Sequence, residues 1–308
     1  GAYLLENGRL LRTACRERNE EDTAFKGALA GGRVQEFSWD GELLWDFEYA
    51  SDRYLRHHDV APMPNGNVLL IAWERKIAEE AIAAGRDPLR LEAGELWPDH
   101  IVEIEPQGPT GGRIVWEWHV WDHLVQDFDA SKANYGVVSE HPERVDINWV
   151  NTLGEPRFEN LAEEQEKLAA LGYMPSQPPE TPRTEKRERS GRFRAADFNH
   201  TNSVAYNPEL DQIALSVLKF NEVWIIDHGT TTAEAAGHSG GRQGKGGDLL
   251  YRWGNPQTYR MGTPEDQRFF GQHDARWIEP GRPGAGHLLV FNNGRGRPEG
   301  RYSSIEEL

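Results

Sequence analysis

Three histidines recur in similar surroundings. They are His58 in His57-His58-Asp59-Val60, His200 in His200-Thr201-Asn202-Ser203-Val204, and His273 in His273-Asp274-Ala275-Arg276-Trp277. A tight turn follows each: Pro64-Asn65-Gly66-Asn67, Pro208-Glu209-Leu210-Asp211 and Pro283-Gly284-Ala285-Gly286. An apolar strand comes next in every case. Imidazoles gathered at one point can do two kinds of chemistry. As neutral ligands they hold a divalent transition metal, preferably Zn, Mn or Fe. Alternatively, one is a nucleophile or general acid/base while the others donate hydrogen bonds to a developing anion. A lone histidine is ordinarily structural. Three at one repeat position point to function.

The elements that must position them are strands. Apolar residues alternate with period two, which excludes helical solenoids. Four units share one order. The first runs from the Asn7-Gly8 hairpin through Gly32-Arg33-Val34 to Gly41-Glu42-Leu43-Leu44-Trp45. The second runs from the Asn65-Gly66 hairpin to Gly112-Arg113-Ile114-Val115-Trp116. The third runs from Gln212 to Trp253, and the fourth starts at His273 and stops after Gly294. Four-stranded units repeating every roughly 60–70 residues predict an all-β protein, a β-propeller. The inner strand of each blade lines the channel, so His58, His200 and His273 should face one another there. Asp59 and Asp274, next along the strand, should face away. The first unit has no matching histidine, and the fourth lacks its last strands, which suggests a longer natural protein or a shared blade.

The 308 residues read as a single propeller domain, 1–308, with a helical and loop insertion within 126–196. Trp73 to Arg86 has the composition of a short helix, Asn160 to Leu171 that of a second, and Pro175 to Arg194 that of a solvated loop. The formal net charge of −16 argues against nucleic acid and anionic membranes as partners. An anionic substrate then needs a locally positive pocket. Cys15, the single cysteine, has no intramolecular partner for a disulfide. No window is long and apolar enough to span a membrane. No signal peptide is visible, although the chain opens on Gly1.

Weaker signals lie elsewhere. Arg252 can donate to an anion or close a blade-edge salt bridge. Trp118-His119-Val120-Trp121-Asp122-His123 reads as an aromatic rim or core patch. Gly240 to Gly247 lacks P-loop spacing and precedes a strand, so it reads as a flexible connector.

The chain resembles the arylsulfotransferase family. The matching stretches are His57-His58-Asp59 with Asn65-Gly66-Asn67, Asp197-Phe198-Asn199-His200-Thr201-Asn202-Ser203-Val204 with Asp211, and Gln272-His273-Asp274 with Phe291-Asn292-Asn293-Gly294. The resemblance implies a six-bladed propeller that moves a sulfuryl group from an aryl sulfate to a phenol without a nucleotide donor or cofactor. It implies His273 as the nucleophile that forms a sulfohistidine, with His58 and His200 binding sulfuryl oxygens and assisting the leaving phenolate. Asn202, Lys219, Asn221 and Arg252 are the candidate substrate-binding residues. A periplasmic or secreted location also follows from the resemblance; the oligomeric state does not. The chain departs from the family where an arginine is expected after the second histidine, for Leu218 stands there, with Lys219 and Asn221 close by. Losing a bidentate guanidinium weakens a sulfate site. Two other readings stay open: a hydrolase or lyase with one divalent metal on the three histidines, and a non-catalytic binding scaffold.

Overall fold

The computed structural model describes residues 1–16, 24–25, 31–150, 195–300 and 302–308. The expected helix at Asn160 to Leu171 and loop at Pro175 to Arg194 lie outside the described residues. Four small antiparallel sheets are arranged as propeller blades. The first contains β1 (Ala2–Leu4), β2 (Leu10–Cys15), β3 (Gly32–Phe37) and β4 (Leu43–Glu48) in that spatial order. The second contains β5 (Tyr54–Pro62) and β6 (Val68–Glu74). After the short pair β7 (Lys76–Ile77) and β8 (Glu95–Leu96), it continues with β9 (Asp99–Gln107) and β10 (Gly111–His119). A two-stranded parallel pair follows, β11 (Leu124–Val125) with β12 (Val145–Asp146). The third blade is β13 (Thr201–Asn207), β14 (Gln212–Val217), β15 (Glu222–Asp227) and β16 (Tyr251–Trp253). The fourth is β17 (His273–Trp277), β18 (Leu288–Asn292) and β19 (Ser304–Glu307). β19 supplies a strand that the repeat pattern had not shown. The described residues thus give four blades where the family resemblance implies six.

The expected helix from Trp73 to Arg86 is shorter than its composition suggests. Trp73 pairs with Asp99 at the end of β6 and is buried beside Trp97, so helix α1 occupies only Ala78–Ala83. Nor does the glycine-rich 240–247 segment dangle. It folds back on α2 (Thr232–Ala235), with Gly241 N bonded to Glu234 Oε1 and Gln243 N to Asp227 Oδ2.

Apolar seams join neighbouring blades. Leu11, Val34, Val60 and Leu70 pack between the first and second, and Leu69, Ile101, Ile213, Leu215 and Trp224 between the second and third. Ala214, Val223, Val290 and Ala275 pack between the third and fourth. β5, β13 and β17 lie side by side as inner strands. β1 completes the circle. The Tyr3 hydroxyl donates to Asp59 of β5, and the Arg276 guanidinium of β17 sits 5.4 Å from the Tyr3 ring centre. Asp59 therefore ties two inner strands together.

Arg252 belongs to this framework and not to the channel. Its guanidinium is buried against Glu222, with Nη2 at 2.6 Å from Oε2 and 2.8 Å from Thr258 Oγ1, and it also donates to the Arg144 carbonyl. Glu222 is fully buried and needs that charge. Removing one member of a buried pair strands the other, at a cost of about 3–5 kcal/mol. Arg252→Met should lower unfolding free energy in urea by that amount. The double variant Arg252→Met/Glu222→Gln should recover much of it.

Candidate active site

Each inner strand is kinked at its histidine. His58 and His200 have left-handed backbones with φ of 49° and 53°, and Asp274 has 55°. The ladders slip at the same places, between Arg56 and Val60, between Thr201 and Ser203, and between His273 and Arg276. A non-glycine residue held there costs about 1–3 kcal/mol and re-aims its side chain. The kink makes His58 and His200 true equivalents. In the fourth blade it falls one residue later. His273 is therefore in register with His57 and Asn199, not with His58 and His200 as the sequence repeat suggested.

The rings nevertheless converge. The His58 and His200 centroids are 4.5 Å apart, edge to face. His57 lies 5.0 Å from His58 and stacks on Trp73 at 3.9 Å. His273 makes no ring contact with them, but it is close enough for its charge to act on His58, and that of His200 on it.

Two buried carboxylates organise the imidazoles. Asp197 accepts from His200 Nδ1 at 2.5 Å and from Trp73 Nε1 at 2.9 Å. Burial alone would raise Asp197 and lower His200. Their mutual attraction outweighs both effects, so Asp197 lies below the usual carboxylate range and His200 above the usual imidazole range. Asp99 meets His57 Nε2 at 2.9 Å, and its other oxygen accepts from Asn199 Nδ2 and the Thr201 amide. Burial, with the Asp197 charge adding, pushes Asp99 up to about 8. His57 Nδ1 lies 2.7 Å from His58 Nδ1. Burial drives His57 well below its ordinary value and His58 to about 2, with the neighbouring imidazoles adding to it. Both are neutral near pH 7.

His57 is thus a two-ended link. With Asp99 ionised, His57 donates from Nε2 and accepts at Nδ1 from His58, leaving the His58 Nε2 lone pair bare. With Asp99 protonated, the whole row reverses and His58 Nε2 carries the proton. In the fourth blade, His273 Nδ1 is 3.1 Å from the Gly271 carbonyl and 2.8 Å from Asn293 Nδ2. The carbonyl accepts and the Asn293 amide donates, so the two contacts favour opposite tautomers; the one that donates from Nδ1 to Gly271 leaves the Nε2 lone pair open. Burial lowers His273, the hydrogen bond to Gly271 opposes this, and the Arg295 charge lowers it further.

The other sequence candidates hold this arrangement in place. Residues 218–221 form a turn, so strand alternation does not govern where they point. Lys219 directs its ammonium to the Asp197 carbonyl and stands 3.6 Å from Asp197 Oδ2. Asn221, buried with φ of 55°, accepts from the Gly271 amide at 2.8 Å and anchors the approach to His273. Asn202 donates to the Gln272 carbonyl at 2.8 Å, linking β13 to β17. Sequence reasoning missed His57, Asp99, Asp197 and Asn293. Asp197 was visible three residues before His200, but Asp99 lies far away in the chain and only the fold brings it in.

The three channel histidines are not among groups whose ligating atoms all fall within 4.8 Å of one another. Among the described residues His123, His238 and Asp248 form such a group, elsewhere. No described helix is long and apolar enough to cross a membrane.

Three four-stranded sheets and one three-stranded sheet, with imidazoles and buried carboxylates along their inner strands, define a β-propeller. The chain belongs to the arylsulfotransferase family, for residues 23–306 match the family model Arylsulfotransferase (ASST). No curated protein matches it. A solved structure, hydrazine synthase of Kuenenia stuttgartiensis, is similar at 9% identity with a TM-score of 0.41, covering 98% of this chain and 56% of that one.

The Asp197–His200 pair makes a checkable statement. A histidine raised on folding stabilises the fold below its unfolded value, and that contribution fades as pH rises through the folded value. Asp197→Asn should bring the His200 midpoint below 6.5, read by NMR titration, and remove the loss of stability that wild type shows as pH rises through the His200 value.

Proposed function

We propose that the chain transfers a sulfuryl group from an aryl sulfate to a phenol through a sulfohistidine on His273. The observation that carries this is the division of charge in the channel. His200, raised by Asp197, lies 4.5 Å from a neutral His58, and His273, lowered by burial, is close enough to feel the His200 charge and exposes its Nε2 lone pair in the tautomer that donates from Nδ1 to the Gly271 carbonyl.

The His273 Nε2 lone pair attacks sulfur. The N–S bond forms as the bond from sulfur to the aryl oxygen breaks, and that electron pair leaves on the phenolate. His200 Nε2–H supplies the proton the phenolate takes, which leaves His200 neutral. In the return step His200 removes the acceptor phenol's proton, the phenol oxygen attacks sulfur, and the N–S bond breaks. Asp197 holds His200 in position and stabilises its charged form, as an orienting carboxylate does. His58, neutral and with its proton on Nε2 when Asp99 is protonated, donates to a sulfuryl oxygen. Leu218 offers no guanidinium. Arg295, on the turn after β18, acts electrostatically on His273 and is the cation we assign to the sulfuryl oxygens in its place. The reaction needs no nucleotide donor. A periplasmic or secreted location goes with the family.

Intact mass after brief exposure to 4-nitrophenyl sulfate should show one added sulfuryl group, absent in His273→Ala. Stoichiometric metal on the channel histidines would favour a metal-dependent hydrolase or lyase instead. Neither result would leave a binding scaffold. His200→Ala should cost about 10²- to 10⁴-fold, and less with 4-nitrophenolate as leaving group than with plain phenolate. The rate should fall at low pH, where His273 gains a proton, and at high pH, where His200 loses its own. Asp197→Asn should move the alkaline limb to lower pH.

A further inference from the structure

We propose that His123, His238 and Asp248 form a divalent-metal site, with zinc its best-fitting occupant, at the seam between the second and third blades. His123 closes the short 3-10 turn after β10, and His238 and Asp248 flank the glycine-rich loop between β15 and β16. None lies on an inner strand, so the site is separate from the channel.

The argument is one of hydrogen-bond valence. His123 Nε2 lies 2.9 Å from the Ala235 carbonyl, which can only accept. Nε2 therefore carries a proton. In a neutral ring this leaves Nδ1 as a bare lone pair, and Nδ1 faces Asp248 Oδ1 at 2.9 Å. His238 Nδ1 approaches the same oxygen at 2.8 Å. His123 is fully buried and Asp248 nearly so. A protonated His123 would meet the carboxylate as an ion pair; a divalent cation held by the two imidazoles and Asp248 satisfies the same buried acceptors, which are costly when left unshared. The three ligating atoms lie within 4.8 Å of one another. Metal bonds of about 2.0–2.2 Å suit that spacing, and two imidazoles with a carboxylate suit zinc better than magnesium or calcium.

The surroundings resemble those of a metal ligand. A ligating histidine usually donates its other N–H to a carbonyl or carboxylate, as His123 does to Ala235. Helix α2 presents that carbonyl, and Thr231 and Glu234 cap the helix reciprocally. Trp118 lies parallel to the His123 ring at 5.5 Å and donates to the Gly247 carbonyl. Position 247 has no room for a side chain, since a Cβ there would stand 2.0 Å from the Ala235 oxygen and 2.6 Å from His123 Nε2. His238 is 45% exposed, so the ion has a route in and a fourth ligand can be water. The ion would clip the blade seam together.

The test uses the chelator-treated full chain titrated with zinc against a chromophoric chelator, with cobalt as a spectroscopic probe. We expect one tightly bound zinc, a cobalt spectrum of low coordination number, and a melting temperature that rises with zinc. His238→Ala, at an exposed position, should weaken binding by more than about a hundredfold, beyond the loss of an outer-shell partner. It should also abolish the thermal shift, and Asp248→Asn should do the same. His200→Ala should bind zinc as wild type does. No uptake by wild type, equal binding by His238→Ala, or loss of binding in His200→Ala would each overturn the proposal.

Discussion

Two carboxylates buried near one another cannot both stay ionised without compensation, and this constraint divides the charge between Asp197 and Asp99 in the channel. Asp197 is compensated by His200 and Lys219, and it keeps its charge. Asp99 feels that charge, is buried, and is pushed up to about 8. The cations are therefore committed to one side and the other side is neutral. His57 and His58 sit with the neutral carboxyl and lose their protons readily; His200 sits with the ionised one and keeps its own. Equal environments would give three similar imidazoles with no division of labour. Different environments give one residue type different protonation behaviour, which the proposed chemistry uses as acid, relay and nucleophile.

The fold supplies those environments through its inner edge. Blade seams are apolar and hold the sheets at fixed spacing, but hydrophobic contact is non-directional and cannot aim a ring. Aim comes from the kinks and from polar ties between inner strands. Asn202 reaches the Gln272 carbonyl, Asn199 bridges Asp99, and Asn221 holds the Gly271 amide. Each tie joins two blades. A shift of one blade against its neighbour would break the tie and misplace a ring together. The inner edge thus couples the integrity of the propeller to the geometry of its channel.

The blades were legible in the sequence because turn residues and alternating apolar strands leave a local signature, as at Asn65-Gly66 between β5 and β6. The side-by-side placing of the strands that carry His58, His200 and His273 followed from topology plus repetition. Their exact correspondence did not. The kink that aligns His58 with Asp274 is a backbone event with no residue-type signature, since Asp and His both tolerate it. Lys219 and Asn221 are substrate-binding candidates in the sequence because they stand beside Leu218, where an arginine is expected. They lie in a turn and serve Asp197 and Gly271. Arg252 reads in the sequence as an anion donor or a blade-edge salt bridge, and the structure gives it the salt bridge, to Glu222 on the adjacent strand. His123 stands four residues after His119, a spacing that suits a metal on a helix, but the segment reads better as an aromatic patch, for the partners of His123 come from a loop far along the chain.

The absence of an arginine at Leu218 bears on which anion the channel can take. The overall charge of −16 repels anions at long range, so selectivity must arise within a few ångströms. The charges that act on His273 are Arg295 and His200, both positive, and Asp274, which is negative. Asp197 pairs with His200, and Arg276 pairs with Asp274. The remainder is about one positive charge, that of Arg295. An aryl sulfate carries one negative charge, and its transition state spreads that charge over oxygens that neutral donors can reach. A phosphate monoester carries nearly two, and it would demand the fixed bidentate clamp that is missing here. Within the proposed chemistry, losing the guanidinium narrows the site toward singly charged esters with good leaving groups. It also places more of the catalytic burden on protonation of the leaving oxygen by His200 than on binding of the anion.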